Sequence, residues 1–331
     1  MTTDDPILSV VIPVYNRARG VACAIGSVLS SAAAAELPPG RIEIVVVDDG
    51  STDGSAGAAR AAGAAGAQQV ATNVLRQANA GPAAARNLGA AMARAPHIAF
   101  VDSDDLWLDW TLPACLEAMA AHPEAALFFL KACVFTDDTP LAPVRGRREV
   151  VVHDGFVSAA LAHGGRSFGT NNVIVRRDVF ERLGGFAPEF RCLEDTDFFL
   201  RADTKGTCVV FECEDLLGRR RGHPDSLTDN WVHVVDGLEK MQRKESAGRY
   251  PHGAGGDPRR LFFLAGTAVR ATRLCFASGE TAAAYRVFFR NIAVMPRGGA
   301  ARWLLRLPLT PLLSLLRPRS YPFRIRPAAE T

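Results

Sequence analysis

The sequence predicts an α/β fold: a mostly parallel sheet with helices on both faces, followed by a helical C-terminal region. Three observations predict it. Short runs rich in β-branched residues alternate with alanine-rich segments between residues 7 and 102. A cluster of polar turn residues follows each of these runs. Past about residue 226, the strand signals stop and helical spacing continues.

The first half of the chain contains the clearest strand and helix signals. Strands are predicted at 7–15, 41–51, 70–76 and 97–102, with helices at 19–35, 55–69 and 81–95. Gly81-Pro82 opens the third helix, where proline is favoured. Strands that alternate with helices favour a parallel sheet, and such sheets bind ligands beyond the carboxyl ends of their strands.

The alternation weakens in the second half of the chain. Single strands are predicted at 125–135 and 208–221, a strand turning into a short helix at 171–186, and a helix with an acidic start at 194–206. We therefore divide the chain into an α/β domain at 1–225, a helical extension at 226–296 and a basic amphipathic tail at 297–331.

Composition limits the classes of protein that the chain fits. Its 331 residues, 48% of them hydrophobic, are enough for one large domain with a core. The net charge of +3 gives no support for a nucleic-acid partner. The 7 cysteines form no CxxC pair, which favours free thiols in a reducing compartment. We see no secretory signal and no apolar run of the ~18 residues that a spanning helix needs, so we expect a cytoplasmic location.

The tail carries a charge of one sign. Nine arginines and no acidic residue lie between Arg286 and Arg326, interleaved with leucines and interrupted by Pro308 and Pro311. Two interpretations remain open. The tail could rest on an anionic membrane surface, or it could pack back onto the helical region.

Four polar motifs follow the first four strands. They are PVYNR at 13–17, VDDGSTDGS at 47–55, RQANAGPAAARNLG at 76–89 and VDSDD at 101–105. In a parallel sheet these motifs lie along the same edge, which then collects carboxylates, backbone amides and arginines. Carboxylates and phosphates supply hard oxygen ligands for Mg²⁺ or Mn²⁺, and arginine matches phosphate. Each motif alone is also typical of a turn or a helix cap. Together the four motifs indicate a site for a nucleotide diphosphate with a divalent metal.

The same motifs, with LEDTDFFLR at 193–201, resemble those of the family-2 glycosyltransferases, which have the GT-A fold. The resemblance covers about residues 7–225 and implies a nucleotide-sugar donor, with a UDP-sugar favoured, and Mn²⁺ or Mg²⁺. It implies that Asp104 binds the metal directly and that Asp102 contacts the ribose or the metal. The donor-binding positions that it implies are Pro13, Tyr15, Asn16, Asp48, Asp49, Arg76, Asn79, Arg86, Asp102 and Ser103. We expect the remaining acid, Asp105, to cap the helix that follows it.

The acidic pair Glu194 and Asp195 matches the catalytic position of the family. Inverting transfer needs a base that removes the proton from the acceptor hydroxyl, and the resemblance assigns this role to Asp195, with Glu194 beside it. The alternative is that both are first-turn acids favoured by the helix dipole. Arg221 and His223 resemble a late loop that closes over the diphosphate, with His223 a further candidate metal ligand. Candidates for the acceptor side are Trp107, Thr170, Asn171, Asn172 and Arg221, although the loop at 168–172 could equally be an ordinary one.

Together these observations favour an inverting, metal-dependent glycosyltransferase whose acceptor is a glycan or a lipid-linked molecule. Two alternatives stay open: a nucleotidyltransferase, and a non-catalytic module that binds nucleotide sugars. The first usually shows a glycine-rich loop with a basic residue after the first strand, which PVYNR is not.

Overall fold

The described part of the chain forms two compact units. The computed structural model describes residues 5–163, 168–221, 227–255, 257–297, 301 and 303–308. One unit comprises Met1–Glu189 and Glu194–Pro224, and the other comprises Phe190–Leu193 and Asp225–Thr331. Within the described residues, none of the helices combines the length and the apolar character that crossing a bilayer requires.

The first unit contains all the strands of the described residues. They are β1 (Leu8–Val14), β2 (Ile42–Asp48), β3 (Ala71–Arg76), β4 (His97–Phe100), β5 (Leu106–Trp107), β6 (Leu127–Phe129), β7 (Ala132–Phe135), β8 (Glu149–His153), β9 (Val173–Arg176), β10 (Cys208–Glu212) and β11 (Leu217–Arg220). The larger sheet among these residues has the order β3-β2-β1-β4-β9-β6-β10-β8, and the smaller has the order β5-β11-β7. The predicted α/β class is confirmed, and antiparallel pairing enters the larger sheet through β9 and β8.

Two predicted strands are each divided in the structure. The run at 125–135 gives β6 in the larger sheet and β7 in the smaller one, and the run at 208–221 likewise gives β10 and β11. Each pair remains side by side, because β6 pairs in parallel with β10 and β7 pairs in parallel with β11. Predicting single strands was therefore wrong: both runs leave the larger sheet together and continue into the smaller one.

The helices of the first unit surround these strands. They are α1 (Ala18–Ala34), α2 (Ser55–Ala64), α3 (Pro82–Met92), α4 (Thr111–Ala121), α5 (Phe156–Ala162), α6 (Arg177–Arg182) and α7 (Glu194–Ala202), with a 3₁₀ turn at Thr170–Asn172. The branched side chains of β1 and β2 are almost wholly buried, as expected of central parallel strands. Helix α3 begins at Pro82, as predicted, and packs on β1 and β2.

Helix α7 is fixed by aromatic packing on two sides. The ring of Phe198 lies 5.2 Å from that of Phe180 and 5.1 Å from that of Phe186. The ring of Phe199 lies 4.9 Å from that of Phe129 and contacts it edge to face. Fully buried aromatic side chains contribute several kcal/mol each, on the order of 3–5 kcal/mol on truncation. The two phenylalanines therefore hold the acidic start of the helix in a defined place.

The second unit is helical within the described residues. Its helices are α8 (Trp231–Ser246), α9 (Arg260–Ala277), α10 (Thr281–Arg290), α11 (Val294–Arg297) and α12 (Trp303–Arg306), with a 3₁₀ turn at Leu227–Asp229. Asn230 caps α8 by accepting a hydrogen bond from the backbone nitrogen of Val232 at 3.0 Å. The buried Arg260 donates to Glu245 at 2.9 Å and also to backbone carbonyls of the preceding loop, which ties α9 to α8.

Candidate functional site

The carboxyl ends of four neighbouring strands form the edge where the candidate site lies. β1 pairs in parallel with β2 and with β4, and β2 pairs in parallel with β3. The loops after these strands therefore leave the sheet on the same side. The prediction that four motifs meet along one edge is confirmed by this topology.

Asp49 connects the loop after β2 to the loop after β3. Its Oδ1 accepts hydrogen bonds from Gln77 Nε2 at 2.7 Å and from the backbone nitrogen of Ala80 at 2.8 Å. Its Oδ2 accepts from the backbone nitrogen of Gly81 at 2.9 Å. The carboxylate is buried and binds the backbone of the two residues directly before α3, so it fixes the conformation of the third motif.

Asp48 and Arg76 stand together at the ends of β2 and β3. Asp48 Oδ1 accepts a hydrogen bond from the backbone nitrogen of Ser51 at 3.0 Å, and Asp48 Oδ2 lies 3.4 Å from Arg76 Nε. The arginine side chain is 60% exposed and also donates to the Ser51 carbonyl at 2.9 Å. Asn79 is exposed in the neighbouring loop, where its backbone nitrogen approaches Gly50. Arg76 and Asn79 are therefore both exposed at the carboxyl ends of the strands, which we call the open edge of the sheet.

The first motif is held to the second by side-chain hydrogen bonds. The Asn16 backbone has φ 49°, a left-handed conformation that asparagine tolerates, and its nitrogen donates to Ser51 Oγ at 2.9 Å. The backbone nitrogen of Thr52 donates to Asn16 Oδ1 at 2.8 Å. Pro13 is partly buried, whereas Tyr15 is 50% exposed. The Tyr15 ring is therefore accessible beside these two loops.

The loop after β4 places two of its acids at the surface of the site. The side chains of Asp102 and Asp104 are 33% and 23% exposed. Asp104 Oδ2 lies 3.9 Å from Arg17 Nη1, and Ser103 is buried. A Cβ atom on Gly20 would stand 2.6 Å from the Ser103 carbonyl oxygen, so only glycine lets the start of α1 approach this loop so closely.

The third acid of this loop, Asp105, differs from the prediction. The residues after it form strand β5, and the next helix begins at Thr111, so the prediction that Asp105 caps a helix is wrong. Its Oδ1 accepts from the backbone nitrogen of Arg220 at 2.8 Å, and its Oδ2 accepts from Asn171 Nδ2. Burial, and then the charge of Asp102, raise the pKa of Asp105 to about 8, against the hydrogen bond from Asn171.

Arg86 links the acidic loop to the start of α7. Its Nη2 donates to Asp102 Oδ1 at 2.7 Å and its Nη1 donates to Glu194 Oε1 at 2.9 Å. Burial alone would lower the pKa of Arg86, but Asp102 and Glu194 outweigh it and the pKa is raised. Burial, and then the neighbouring charge of Asp195, raise the pKa of Glu194 to about 7, against the attraction of Arg86. The structure thus brings together three predicted site residues from distant parts of the sequence.

Asp195 occupies the first turn of α7 and remains partly exposed, unlike Glu194. Leu193, directly before the helix, has φ 71°, a strained conformation for a branched side chain. Asp195 Oδ1 accepts hydrogen bonds from the backbone nitrogen and hydroxyl of Thr196, at 2.6 and 3.2 Å. Asp195 is therefore the member of the acidic pair that solvent can reach.

Gly169 lies beside the Asp195 carboxylate. A Cβ atom at Gly169 would stand 3.6 Å from Asp195 Oδ2, 3.0 Å from Asn171 Oδ1 and 3.7 Å from Arg219 Nη2. Gly169 and Arg219 were both missed at the level of sequence. Arg219 belongs to the GRRR run from which only Arg221 was selected, and strand alternation would have separated its three arginines onto opposite faces.

The remaining acceptor-side candidates have different surroundings. Thr170, Asn171 and Asn172 form a buried 3₁₀ turn, in which Asn172 Nδ2 donates to the Leu130 carbonyl at 2.9 Å. Trp107 is only 4% exposed and belongs to the hydrophobic core, so the structure argues against contact between this side chain and an acceptor. Arg221 is partly buried and its backbone nitrogen donates to the Phe135 carbonyl. His223 lies outside the described residues.

The chemistry of the acidic loop suits a hard divalent cation. Within the described residues, no group of three or more His, Cys, Asp and Glu side chains is placed to hold a metal ion by itself. Mg²⁺ sites that act on phosphates commonly use one or two protein carboxylates, with substrate phosphates and waters completing the shell. Two partly exposed carboxylates, Asp102 and Asp104, match that donor set.

Comparison with known proteins gives the same assignment as the motifs. Residues 9–184 match the family model described as Glycosyl transferase family 2. The succinoglycan biosynthesis protein ExoU of Rhizobium meliloti is 31% identical over 209 residues, 60% of this chain and 57% of the relative. The uncharacterized glycosyltransferase EpsJ of Bacillus subtilis is 28% identical over 232 residues, 68% of this chain and 63% of the relative. The uncharacterized glycosyltransferase alr2836 of Nostoc is 37% identical over 255 residues, 73% of this chain and 71% of the relative. This chain thus spans less than two thirds of the length of the first two.

Solved structures share the fold at low sequence identity. TarS of S. aureus in complex with UDP superposes with a TM-score of 0.54 at 17% identity, covering 97% of this chain and 94% of that one. The mannosyltransferase PcManGT of Pyrobaculum calidifontis, in complex with GDP-Man and Mn²⁺, gives a TM-score of 0.56 at 17% identity, with coverage of 96% and 88%. At this identity the likeness establishes the fold.

Proposed function

The chain belongs to glycosyl transferase family 2 and has the GT-A fold, and on that premise we propose that it is an inverting, metal-dependent enzyme. Its donor is a nucleotide sugar, a UDP-sugar, and its acceptor is a hydroxyl group of a glycan or a lipid-linked molecule. The observation that carries the proposal is the contact through Arg86, which places a solvent-accessible Asp195 next to the acidic loop after β4.

The donor site is assigned to the open edge formed by the first three motifs. Asp49 is a hydrogen-bond acceptor at the end of β2, which is the chemistry that the ring N–H of a uracil base requires. Tyr15 is accessible beside it, and Arg76 presents a mostly exposed guanidinium to a diphosphate. Asp104 and Asp102 would hold the Mn²⁺ or Mg²⁺, which supplies Lewis-acid stabilisation of the leaving diphosphate when bound.

Asp195 is assigned as the general base. It takes the proton of the acceptor hydroxyl as that oxygen forms a bond to the anomeric carbon and the bond to the nucleotide diphosphate breaks. A single displacement of this kind inverts the anomeric configuration. Asp195 is preferred to Glu194 because it is partly exposed and faces the space beside Gly169, whereas Glu194 is only 8% exposed and binds Arg86. A positioned base typically contributes ~10²–10⁴-fold to the rate.

A thermal-shift screen tests the donor assignment. UDP-, GDP- and dTDP-sugars are added with and without Mn²⁺, and we expect a UDP-sugar to raise the melting temperature only when Mn²⁺ is present. Asp104→Ala should abolish the metal-dependent part of the shift, and the matched variant Asp109→Ala, at an exposed acid outside the site, should retain it. If no nucleotide sugar stabilises the wild type with Mn²⁺, the proposal fails.

The acceptor proposal includes contact with an anionic membrane. In the second unit, Phe289 and Ile292 are 61% and 44% exposed, and Arg286 and Arg290 are exposed beside them in sequence. The predicted tail continues this basic and apolar composition, although residues beyond 308 lie outside the described part. Apolar side chains flanked by arginines suit the interface of an anionic bilayer. A membrane-associated acceptor would then be presented at the surface of the bilayer.

Vesicle sedimentation tests the membrane contact. The full chain should sediment with vesicles containing phosphatidylglycerol and not with neutral phosphatidylcholine vesicles. A variant cut after Met295, which lacks the tail but keeps Phe289 and Ile292, should bind the anionic vesicles more weakly. Equal binding by both proteins would contradict the proposal. We also propose a cytoplasmic location, supported by seven cysteines that all lie in the described residues and are free.

A further inference from the structure

We propose that Arg86 is a positioning residue: it holds the acidic loop after β4 and the base-bearing helix α7 in one geometry, and it acts through them instead of through the donor. The inference deepens the proposed function and rests on it. It also changes the role that the motif implied for Arg86, which was donor binding, and the role implied for Glu194, which was catalysis.

Arg86 joins two separate elements through its hydrogen bonds. One guanidinium contacts two carboxylates from separate elements, Asp102 at 2.7 Å and Glu194 at 2.9 Å. These partners lie 16 and 108 residues away in sequence. Each partner is next to a residue with a proposed chemical role, since Asp102 belongs to the metal loop and Glu194 directly precedes Asp195. A planar guanidinium with two terminal nitrogens can bridge two carboxylates at a fixed separation, which a lysine ammonium cannot do in the same way.

Arg86 and its partner Glu194 are both buried. Arg86 is 5% exposed and Glu194 is 8% exposed, whereas Arg76 at the open edge has a side chain that is 60% exposed. Arg86 Nε is buried and has no hydrogen-bond partner among the described residues, so the guanidinium binds the two carboxylates while one of its donors stays unsatisfied. A residue whose role is to contact an incoming diphosphate is expected to be at the surface of the site, as Arg76 is.

Because α7 is held rigidly, its link to Arg86 affects the position of Asp195. The packing of Phe198 and Phe199 fixes the helix on the core, and Arg86 adds the link from its first turn to the acidic loop. Arg86 therefore sets how far Asp195 stands from the carboxylates that hold the donor. Misplacement of a reacting group by about 1 Å can cost ~10²-fold in rate.

The variants are Arg86→Gln, Glu194→Gln and the double variant, with Arg201→Gln as the matched control. Arg201 is also an arginine in an ion pair with an acid of α7, Asp197, and it donates to the carbonyls of Leu183 and Gly185 away from the acidic loop. Turnover of UDP-glucose, UDP-N-acetylglucosamine and GDP-mannose is measured with Mn²⁺, and the affinity for UDP with Mn²⁺ is measured by calorimetry.

We expect Arg86→Gln to lower kcat by roughly 10²-fold and to weaken UDP binding by less than about tenfold. The double variant should be about as slow as Arg86→Gln alone, because both changes break the same link. Arg201→Gln should keep its kcat even if it lowers the melting temperature. If Arg86→Gln loses UDP affinity by much more than tenfold while Glu194→Gln retains it, Arg86 contacts the donor and the proposal is overturned.

Hydrogen exchange in the ligand-free protein gives a second readout that does not depend on the donor. Arg86→Gln should speed amide exchange both at Asp102–Asp105 and in the first turn of α7, whereas Arg201→Gln should affect α7 and the loop at Leu183–Gly185 and leave Asp102–Asp105 unchanged. Unchanged exchange at Asp102–Asp105 would overturn the inference even if no nucleotide binds the wild type, which by itself would be a failure of the proposed function. Should Arg86→Gln not fold, Arg86→Lys serves instead, because it keeps the charge and loses the bridge.

Discussion

Replacing Glu194 with glutamine should change how the stability of the protein depends on pH. The pKa of Glu194 is raised from 4.5 to about 7 in the folded protein, so between these values the folded state binds a proton that the unfolded state releases. Stability from this group is complete below pH 4.5 and is lost as the pH rises through 7. At 1.36 kcal/mol per unit of pKa, the loss is about 3 kcal/mol. Glu194→Gln should remove that part of the pH dependence.

The measurement is the free energy of unfolding in urea at pH 5, 6, 7 and 8, with EDTA present. The wild type should lose stability across this range, and the difference between wild type and Glu194→Gln should shift by about 2.5 kcal/mol from pH 5 to pH 8, because the first part of the loss occurs below pH 5. The control is Glu117→Gln, at a mostly exposed glutamate that pairs with Arg148, which should leave the pH dependence as it is. Parallel curves for wild type and Glu194→Gln would refute the reasoning, because they would show that folding leaves the proton affinity of this group unchanged.

Three further predictions concern the site and the helix that carries it. Asp195→Asn should lower turnover by ~10²–10⁴-fold while UDP still binds with Mn²⁺, and near-normal turnover would exclude it as the base. Gly169→Ala should lower the melting temperature only slightly, since φ −145° suits alanine and the Asn171 amide at 3.0 Å has to shift by a small amount, yet slow sugar transfer by up to ~10²-fold because the methyl group enters the space beside Asp195. Gly57→Ala, with open space at its Cβ position, is its control and should transfer sugar normally. Phe198→Ala should destabilise the protein by about 3–5 kcal/mol in urea unfolding, and a loss under about 1 kcal/mol would mean that the ring is not part of the packed core.

The first half of the fold could be predicted because its signals are local. Each of the first three predicted helices lies between two β-branched runs, and their observed bounds agree with the prediction to within a few residues at most ends. The second half could be predicted less well. Charged residues interrupt both runs, Lys131 in 125–135 and the acids Glu212, Glu214 and Asp215 in 208–221, but a charge within a strand is also typical of an exposed position. The two runs turn out of the larger sheet together and remain hydrogen-bonded to each other. The backbone nitrogen of Leu216 donates to the Lys131 carbonyl where both leave the larger sheet.

The candidate site, like the fold, could be predicted from the sequence only in part. The motifs located Asp102, Asp104 and Asp195, because acids after strands and at a helix start are visible in the order of residues. They did not identify the partners of the neighbouring acids. Asp105 is bonded to Asn171 and to the backbone of Arg220, and Glu194 is bonded to Arg86. Trp107, predicted on the acceptor side, lies in the core.

By itself, the sequence determined the parallel edge, its four motifs and the family, because strand order and turn chemistry depend on neighbouring residues. Only the tertiary structure decided which carboxylates are exposed, which are buried and which arginine binds them. Burial and charge pairing depend on residues that are far apart along the chain. Arg86 and Glu194 are separated by 108 positions, so no local sequence pattern indicates their contact.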